Sequence, residues 1–185
     1  MKIQVTLKNF LSRSLSRSIN LMLLKTGLIA IPLDQGINLE STIKYYVKPE
    51  LVQTIFDIGA HNGSWAKNIG KYFPNARIYL FEANSAHFPY NPDIADGSFN
   101  VLLQNEIGVK DFYSIGGTGD SIYQENSSFY QHIKPTKLPT NTIDNLILQN
   151  DLPVPSFVKI DVQGAELDVI KGMKNNLSQI RYLLV

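Results

Sequence analysis

Residues Thr54 to Ser64 read TIFDIGAHNGS. A short apolar run, Ile55 to Ile58, leads into a glycine turn and then a helix start near Gly63. That succession confines the chain to folds in which a buried strand delivers its C-terminal end to a tight turn. Glu82 stands 19 residues beyond Gly63, at the end of a second apolar run, Ile78 to Phe81. Strand, helix and strand within about thirty residues is the βαβ period, whose crossovers are nearly always right-handed. An acid at the tip of the second strand, opposite a glycine turn at the tip of the first, suits an adenosine-containing cofactor held at the carboxyl ends of parallel strands.

The rest of the chain is consistent with that frame. With 185 residues, 44% hydrophobic and 18% charged, it has the size of one domain. A net charge of +1 gives no whole-molecule field for nucleic acid, so none is expected as a partner. Cysteine is absent, which removes disulfides, thiolate metal sites and cysteine nucleophiles together. No signal-peptide layout is visible, because apolar and basic residues interleave at the N-terminus. The expected location is therefore cytoplasmic, and the Asn-x-Ser sequons at Asn62, Asn126 and Asn176 are expected to be chance matches. Gly27 to Leu33 is too short an apolar run to span a bilayer.

Residues 1–49 read as a helical extension. Leu11, Leu15, Ile19, Met22 and Leu23 fall at helical spacing, with Arg13, Arg17 and Asn20 on the other face. Residues 1–33 hold five basic side chains and no acid. Such a helix either packs on the domain with a solvated basic face or touches anionic lipid as a peripheral membrane contact. A second helix is expected over 39–50, closed by Pro49. Beyond the glycine turn, Trp65, Ile69 and Phe73 mark a helix ending at Pro74-Asn75. Pro89 and Pro92 make the next connection irregular. Strands are expected at Phe99 to Leu103 and Val109 to Ile115, and residues 116–141 read as a long substrate-facing loop. Thr142 to Asn150 reads as a short helix, Phe157 to Ile160 as a buried strand, and Leu167, Ile170 and Met173 as the inner face of another helix. Ile180 to Val185 reads as a last central strand. Alternating strands and helices give an α/β fold with an open, mostly parallel sheet.

Asp57, Gly59 and Gly63 form Asp-x-Gly-x-x-x-Gly, with Ala60 and His61 inside the turn. The Gly-x-Gly-x-x-Gly dinucleotide fingerprint is absent, and an acid stands where a pyrophosphate would prefer no negative charge. A cationic ligand such as S-adenosylmethionine suits Asp57 better, with Glu82 accepting from ribose hydroxyls. Asp161, Gln163 and Glu166 lie at the carboxyl end of another strand, where a carboxylate can orient an alcohol or take its proton. Glu166 serves equally well as a helix-start charge. His132, in the long loop, is a candidate base or an ordinary surface histidine. His61, His87 and His132 show no metal-ligand spacing, so no metal is expected. Gly116-Gly-Thr-Gly119 lacks the ending of a phosphate loop and reads as a flexible turn.

These residues resemble the FkbM-type family of class I S-adenosylmethionine-dependent methyltransferases. The resemblance is carried by IFDIGAHNGSWA, by PNARIYLFEAN, by Thr142-Ile-Asp144 before its helix, and above all by VKIDVQGAELDVIKGM from Val158 to Met173. It covers residues 50–185, read as the S-adenosylmethionine-binding domain. It implies a Rossmann-like fold with flanking helices and methyl transfer to a hydroxyl of a sugar, glycolipid or other secondary metabolite. Asp57, Gly59, Ala60, His61 and Gly63 then match the cofactor loop, and Glu82 the ribose acid. Asn105 and Glu106 fall in the adenine-contacting region, while Asp161, Gln163, Gly164 and Glu166 match the signature after the fourth strand. Ser121 and Gln163 fall on the substrate side, and Asp161, Glu166 and His132 are the candidate catalytic groups.

The chain departs from the family at Ala83-Asn84, where a proline is common, and at its C-terminus, where the fold continues to a helix and a hairpin. The expected fold is therefore C-terminally truncated, with an exposed edge on its fifth strand. That leaves a non-catalytic remnant binding cofactor or a partner as the alternative. A nicotinamide-dependent oxidoreductase is disfavoured by the missing third glycine.

Overall fold

In the computed structural model the described residues are 3–7, 28–32, 43–44, 46–88, 93–115, 119–124 and 132–185. Strand β3 (Thr54–Ile58) is buried at every position, as is β9 (Phe157–Ile160). Continuous burial is what a parallel sheet covered on both faces requires. Alternation along these strands decides what lies on each face. Phe56, Ile58, Val158 and Ile160 point to one side, where they pack with Ile143 and Leu146 of α2 (Ile143–Asn150) and Val169 of α3 (Glu166–Lys171). Ile55 and Phe157 point to the other, against Ala66 and Ile69 of α1 (Ser64–Ile69). Asp57 and Lys159 are paired in register and fall on this second face.

The remaining strands are β1 (Ile3–Leu7), β2 (Leu28–Pro32), β4 (Arg77–Glu82), β5 (Gly97–Asn100), β6 (Leu102–Leu103), β7 (Gly108–Phe112), β8 (Thr136–Asn141) and β10 (Tyr182–Leu184). Five of these join β3 and β9 in one seven-stranded sheet of order β2-β1-β10-β9-β3-β4-β5, with every pairing parallel. The chain passes from β3 to β4 on one side, while β9 joins β3 on the other. This reversal of direction opens a crevice at the carboxyl ends of β3 and β9, the place where open α/β sheets hold ligands. The Rossmann-like expectation holds for this sheet.

Two expectations are corrected. The segment read as a helical extension contributes β1 and β2, and β1 pairs with β10 through Gln4–Tyr182, Val5–Leu183 and Thr6–Leu184. The edge expected to be bare is thus covered by the N-terminal strand. The sequence IQVTL alternates apolar and polar residues, and its partnership with β10 depends on a contact that no local pattern announces. The amphipathic helix expected over 11–24 lies outside the described residues. Of the helix expected over 39–50, Ile43, Lys44 and Tyr46 are helical, and a separate 3-10 turn follows at Pro49–Leu51 after extended Lys48.

The second correction concerns residues 116–141. Their last six form β8, which pairs antiparallel with β7 and parallel with β6 in a small second sheet. Pro139 lies within β8, where proline is normally excluded because it donates nothing to the ladder. It is tolerated because β6 has only two residues and pairs with Thr140 and Asn141, so Pro139 stands beyond its end. The expected strand from Phe99 to Leu103 splits at Val101, with Leu102 and Leu103 leaving the main sheet for the small one. Thr142 then caps α2 by accepting from the Asn145 N–H at 3.1 Å, as its residue type favours.

Candidate functional site

The turn after β3 is fixed by backbone hydrogen bonds to β4. The N–H groups of Gly59 and Ala60 both donate to the Phe81 carbonyl, at 2.9 and 3.1 Å. Gly59, His61 and Gly63 hold φ of 71°, 49° and 74°. A left-handed histidine is uncommon and concentrates at functional turns. Gly59 also meets the second wall of the crevice, since a Cβ there would strike the Asp161 backbone carbonyl. Only glycine lets the two loops touch.

Glu82 closes the tip of β4. Its carboxylate accepts from the His61 N–H at 2.7 Å and the Asn84 N–H at 2.8 Å. A carboxylate has about four acceptor positions, so these two bonds do not exhaust it, and Glu82 lines the cavity. Asn84, one of the departures from the family pattern, ties this tip to the opposite wall. Its amide donates to Asp120 at 2.6 Å and to the Ser114 hydroxyl at 3.0 Å.

Beneath the turn lies an ion pair. Lys159 Nζ donates to Asp57 Oδ1 at 2.8 Å and to the Gly59 carbonyl at 3.1 Å, and stands 3.9 Å from Asp161 Oδ2. Asp57 has no exposed surface, and its Oδ2 is buried without a hydrogen-bond partner among the described residues. Burial pushes the Asp57 carboxyl above its ordinary range, and the nearby Asp161 and Glu82 carboxylates add to the rise, while Lys159 pulls against it. Asp57 therefore acts from below, holding the lysine that bridges the two loops. It does not line the cavity.

On the β9 side, Asp161 lines the cavity with its side chain 39% exposed, and Gln163 Nε2 donates to its Oδ1 at 3.1 Å. Gln163 and Gly164 turn with φ of 53° and 100°. Glu166 accepts from the Gly164 N–H at 3.0 Å, closing this turn as α3 begins. Ser121 comes from the far side, donating to the Gln163 carbonyl at 2.8 Å.

Of the residues singled out from sequence, Gly59, His61, Glu82, Ser121, Asp161 and Gln163 line one cavity. Ala60 and Gly63 shape the turn through their backbones, the Gly63 N–H donating to the Ala60 carbonyl at 2.8 Å. Asn105 and Glu106 are exposed outside the cavity, whose apolar wall is Val101, Leu102 and Leu103. The chain turns away at Gln104, whose N–H donates to the Asn141 carbonyl. His132 is exposed and does not line the cavity either. Sequence reasoning passed over Lys159, Asn84 and Asp120. For Lys159 a signal existed, since a lysine inside a fully buried parallel strand needs a carboxylate partner. Among the described residues, no group of three or more His, Cys, Asp or Glu is placed to hold a metal, and no helix is long and apolar enough to cross a membrane.

A parallel sheet with a glycine turn and a strand-end acid at its switch point defines the class of Rossmann-like α/β domains. The Methyltransferase FkbM domain model matches residues 57–185, and the chain belongs to the FkbM methyltransferase family. It is 31% identical over 154 residues to the 2-O-methyltransferase NoeI of Sinorhizobium fredii, covering 74% of this chain and 63% of that protein. It is 25% identical over 137 residues to the hexuronic acid methyltransferase AglP of Haloferax volcanii, covering 71% of this chain and 54% of that protein. The chain thus spans between half and two thirds of the length of these curated relatives. No solved structure matches it.

Proposed function

We propose that this chain carries the catalytic domain of an S-adenosylmethionine-dependent O-methyltransferase acting on a sugar hydroxyl, free or within a glycolipid. One observation carries the cofactor assignment. The polar groups lining the cavity include the carboxylates of Glu82, Asp120 and Asp161, and none of its described lining residues is lysine or arginine. Lys159, 3.9 Å from Asp161, is already bound to Asp57 and Gly59. Such a site repels a pyrophosphate and attracts a cation. Its apolar wall at Phe81 and Val101 to Leu103 suits an adenine ring, and the open positions on Glu82 suit a ribose diol.

When bound, S-adenosylmethionine supplies a methyl group activated for attack by an oxygen. The residues here do the rest: Glu82 orients the ribose, and Asp161 receives the acceptor hydroxyl's proton as the oxygen attacks. Gln163 steadies the Asp161 carboxylate from one side and Lys159 from the other. His132 stands away from the cavity, and Glu166 is engaged with Gly164, so both are weaker candidates for the base. The sugar acceptor is supported by one relative named for a hexuronic acid, and methyl transfer by the names of both.

Isothermal titration with S-adenosylmethionine and S-adenosylhomocysteine tests the cofactor. Saturable binding of both is expected, and failure of folded protein to bind either removes the assignment. Glu82→Gln places an amide N–H₂ where two backbone N–H groups and a ribose hydroxyl all seek an acceptor. Its affinity for both ligands is expected to fall about tenfold or more, with little change in far-ultraviolet circular dichroism.

A further inference from the structure

Tyr123 stands out among the exposed apolar side chains. The residue is 52% exposed, and of the large exposed hydrophobics (Tyr46, Ile107, Val109, Leu148 and Leu167 are the others described) it alone adjoins a cavity-lining residue, Ile122, in the chain. Its position is fixed. The Tyr123 N–H donates to the Ser121 hydroxyl at 3.0 Å, and that hydroxyl donates to the Gln163 carbonyl at 2.8 Å. One edge of the ring rests over Gly164, where an added Cβ would lie 3.4 Å from Tyr123 Cδ2. Ser121 itself is held to Tyr113 by a two-way backbone bridge. A flat, half-exposed ring is thereby carried next to the cavity-lining residues Ser121, Ile122 and Gln163, against Gly164.

We infer that Tyr123 is the stacking platform for the acceptor sugar and sets specificity for it. The inference rests on the sugar-directed reading above. An aromatic face carries negative charge density, and one face of a pyranose presents C–H bonds with positive hydrogens, so the two attract while both shed water. A tyrosine loses little conformational freedom on making such a contact, having only two side-chain torsions. A ring on the Ser121–Gly164 lip holds a sugar with its edge toward the cavity, so that a ring hydroxyl faces Asp161. An aliphatic side chain there would shed water too, but would not distinguish the C–H face of a sugar from its hydroxyl edge.

Methyl transfer from labelled S-adenosylmethionine to a panel of methyl glycosides (neutral hexoses, 6-deoxyhexoses and hexuronic acids) tests this. Tyr123→Ala and Tyr123→Leu are expected to raise the acceptor KM about tenfold while kcat stays within about twofold and S-adenosylmethionine affinity and Tm are unchanged. Tyr123→Phe and Tyr123→Trp are expected to keep the wild-type KM. A KM unaltered in Tyr123→Ala, or restored by Tyr123→Leu, overturns the platform while the sugar reading stands. Wild-type protein that binds S-adenosylmethionine but methylates no glycoside overturns the sugar reading, and the platform with it.

Discussion

Replacing Lys159 by methionine is expected to lower the free energy of unfolding at pH 7 by about 3–5 kcal/mol. Methionine fills much of the same apolar channel, so the loss is electrostatic rather than a cavity effect. Asp57 has no contact with solvent, its Oδ2 has no partner among the described residues, and Oδ1 depends on Lys159. Without the ammonium, an uncompensated charge stays buried or the carboxyl must protonate. The Gly59 carbonyl loses its donor as well, loosening the glycine turn. Denaturant melts followed by Trp65 fluorescence measure the effect. Asp57→Leu/Lys159→Met removes both charges, and it is expected to recover to within about 1 kcal/mol of wild type. A single Lys159→Met variant as stable as the parent would show that the pair is not what holds the turn.

The pH dependence follows from the same pair. Burial raises the Asp57 carboxyl above the ordinary carboxylate range, its value in the unfolded chain, in the folded protein. Between that value and the folded one, the native state binds more protons than the unfolded state. The contribution of Asp57 to stability therefore falls as pH rises through this interval and is level above it. Lys159 opposes the rise, so its loss extends the interval upward. The deficit of Lys159→Met relative to wild type is expected to be largest at high pH and to shrink on acidification, as Asp57 becomes neutral. Melts of both proteins at about pH 5 and pH 8 read this difference directly; a deficit that grows in acid would contradict the sign.

How much of this was legible beforehand depended on whether the signal was local. TIFDIGAHNGS and the acid at 82 were readable because strand, turn and helix start each leave their mark within a few residues. Both ended in the predicted crevice, with Gly59, His61 and Glu82 on its surface. The N-terminal strands were not readable, since β1 meets β10 across more than 170 residues and only the pairing reveals it. Asn105 and Glu106 missed the cavity by a few positions because the chain breaks from one sheet to the other at Val101, a bend with no glycine or proline to mark it. Lys159 was visible in the sequence but not its register. Only the parallel alignment of β3 with β9 places it against Asp57. Asp120 needed the Asn84 amide, 36 residues away, to bring it into the wall.

Gly59→Ala is expected to abolish useful cofactor binding, raising the dissociation constant for S-adenosylmethionine by about 100-fold or more, and to lower stability by about 1–3 kcal/mol from backbone strain alone. Alanine at φ of 71° sits in the left-handed region, and its methyl group would meet the Asp161 backbone carbonyl, which cannot swing aside as a side chain would. One of two things must give. If the β3 turn retreats, the Gly59 and Ala60 N–H groups leave the Phe81 carbonyl, and the bond that fixes His61 on Glu82 goes with them. If the β9 loop retreats, the Asp161 N–H leaves the Ile58 carbonyl and the proposed base moves off its position. Gly164→Ala separates the strain from the collision. Gly164 also has positive φ, at 100°, but its added Cβ meets only the Tyr123 ring at ordinary contact distance. Gly164→Ala is therefore expected to cost stability while leaving S-adenosylmethionine affinity within about threefold of wild type. Equal losses of affinity in the two variants would mean that strain in the loops, and not the contact between the walls at Gly59, governs the site.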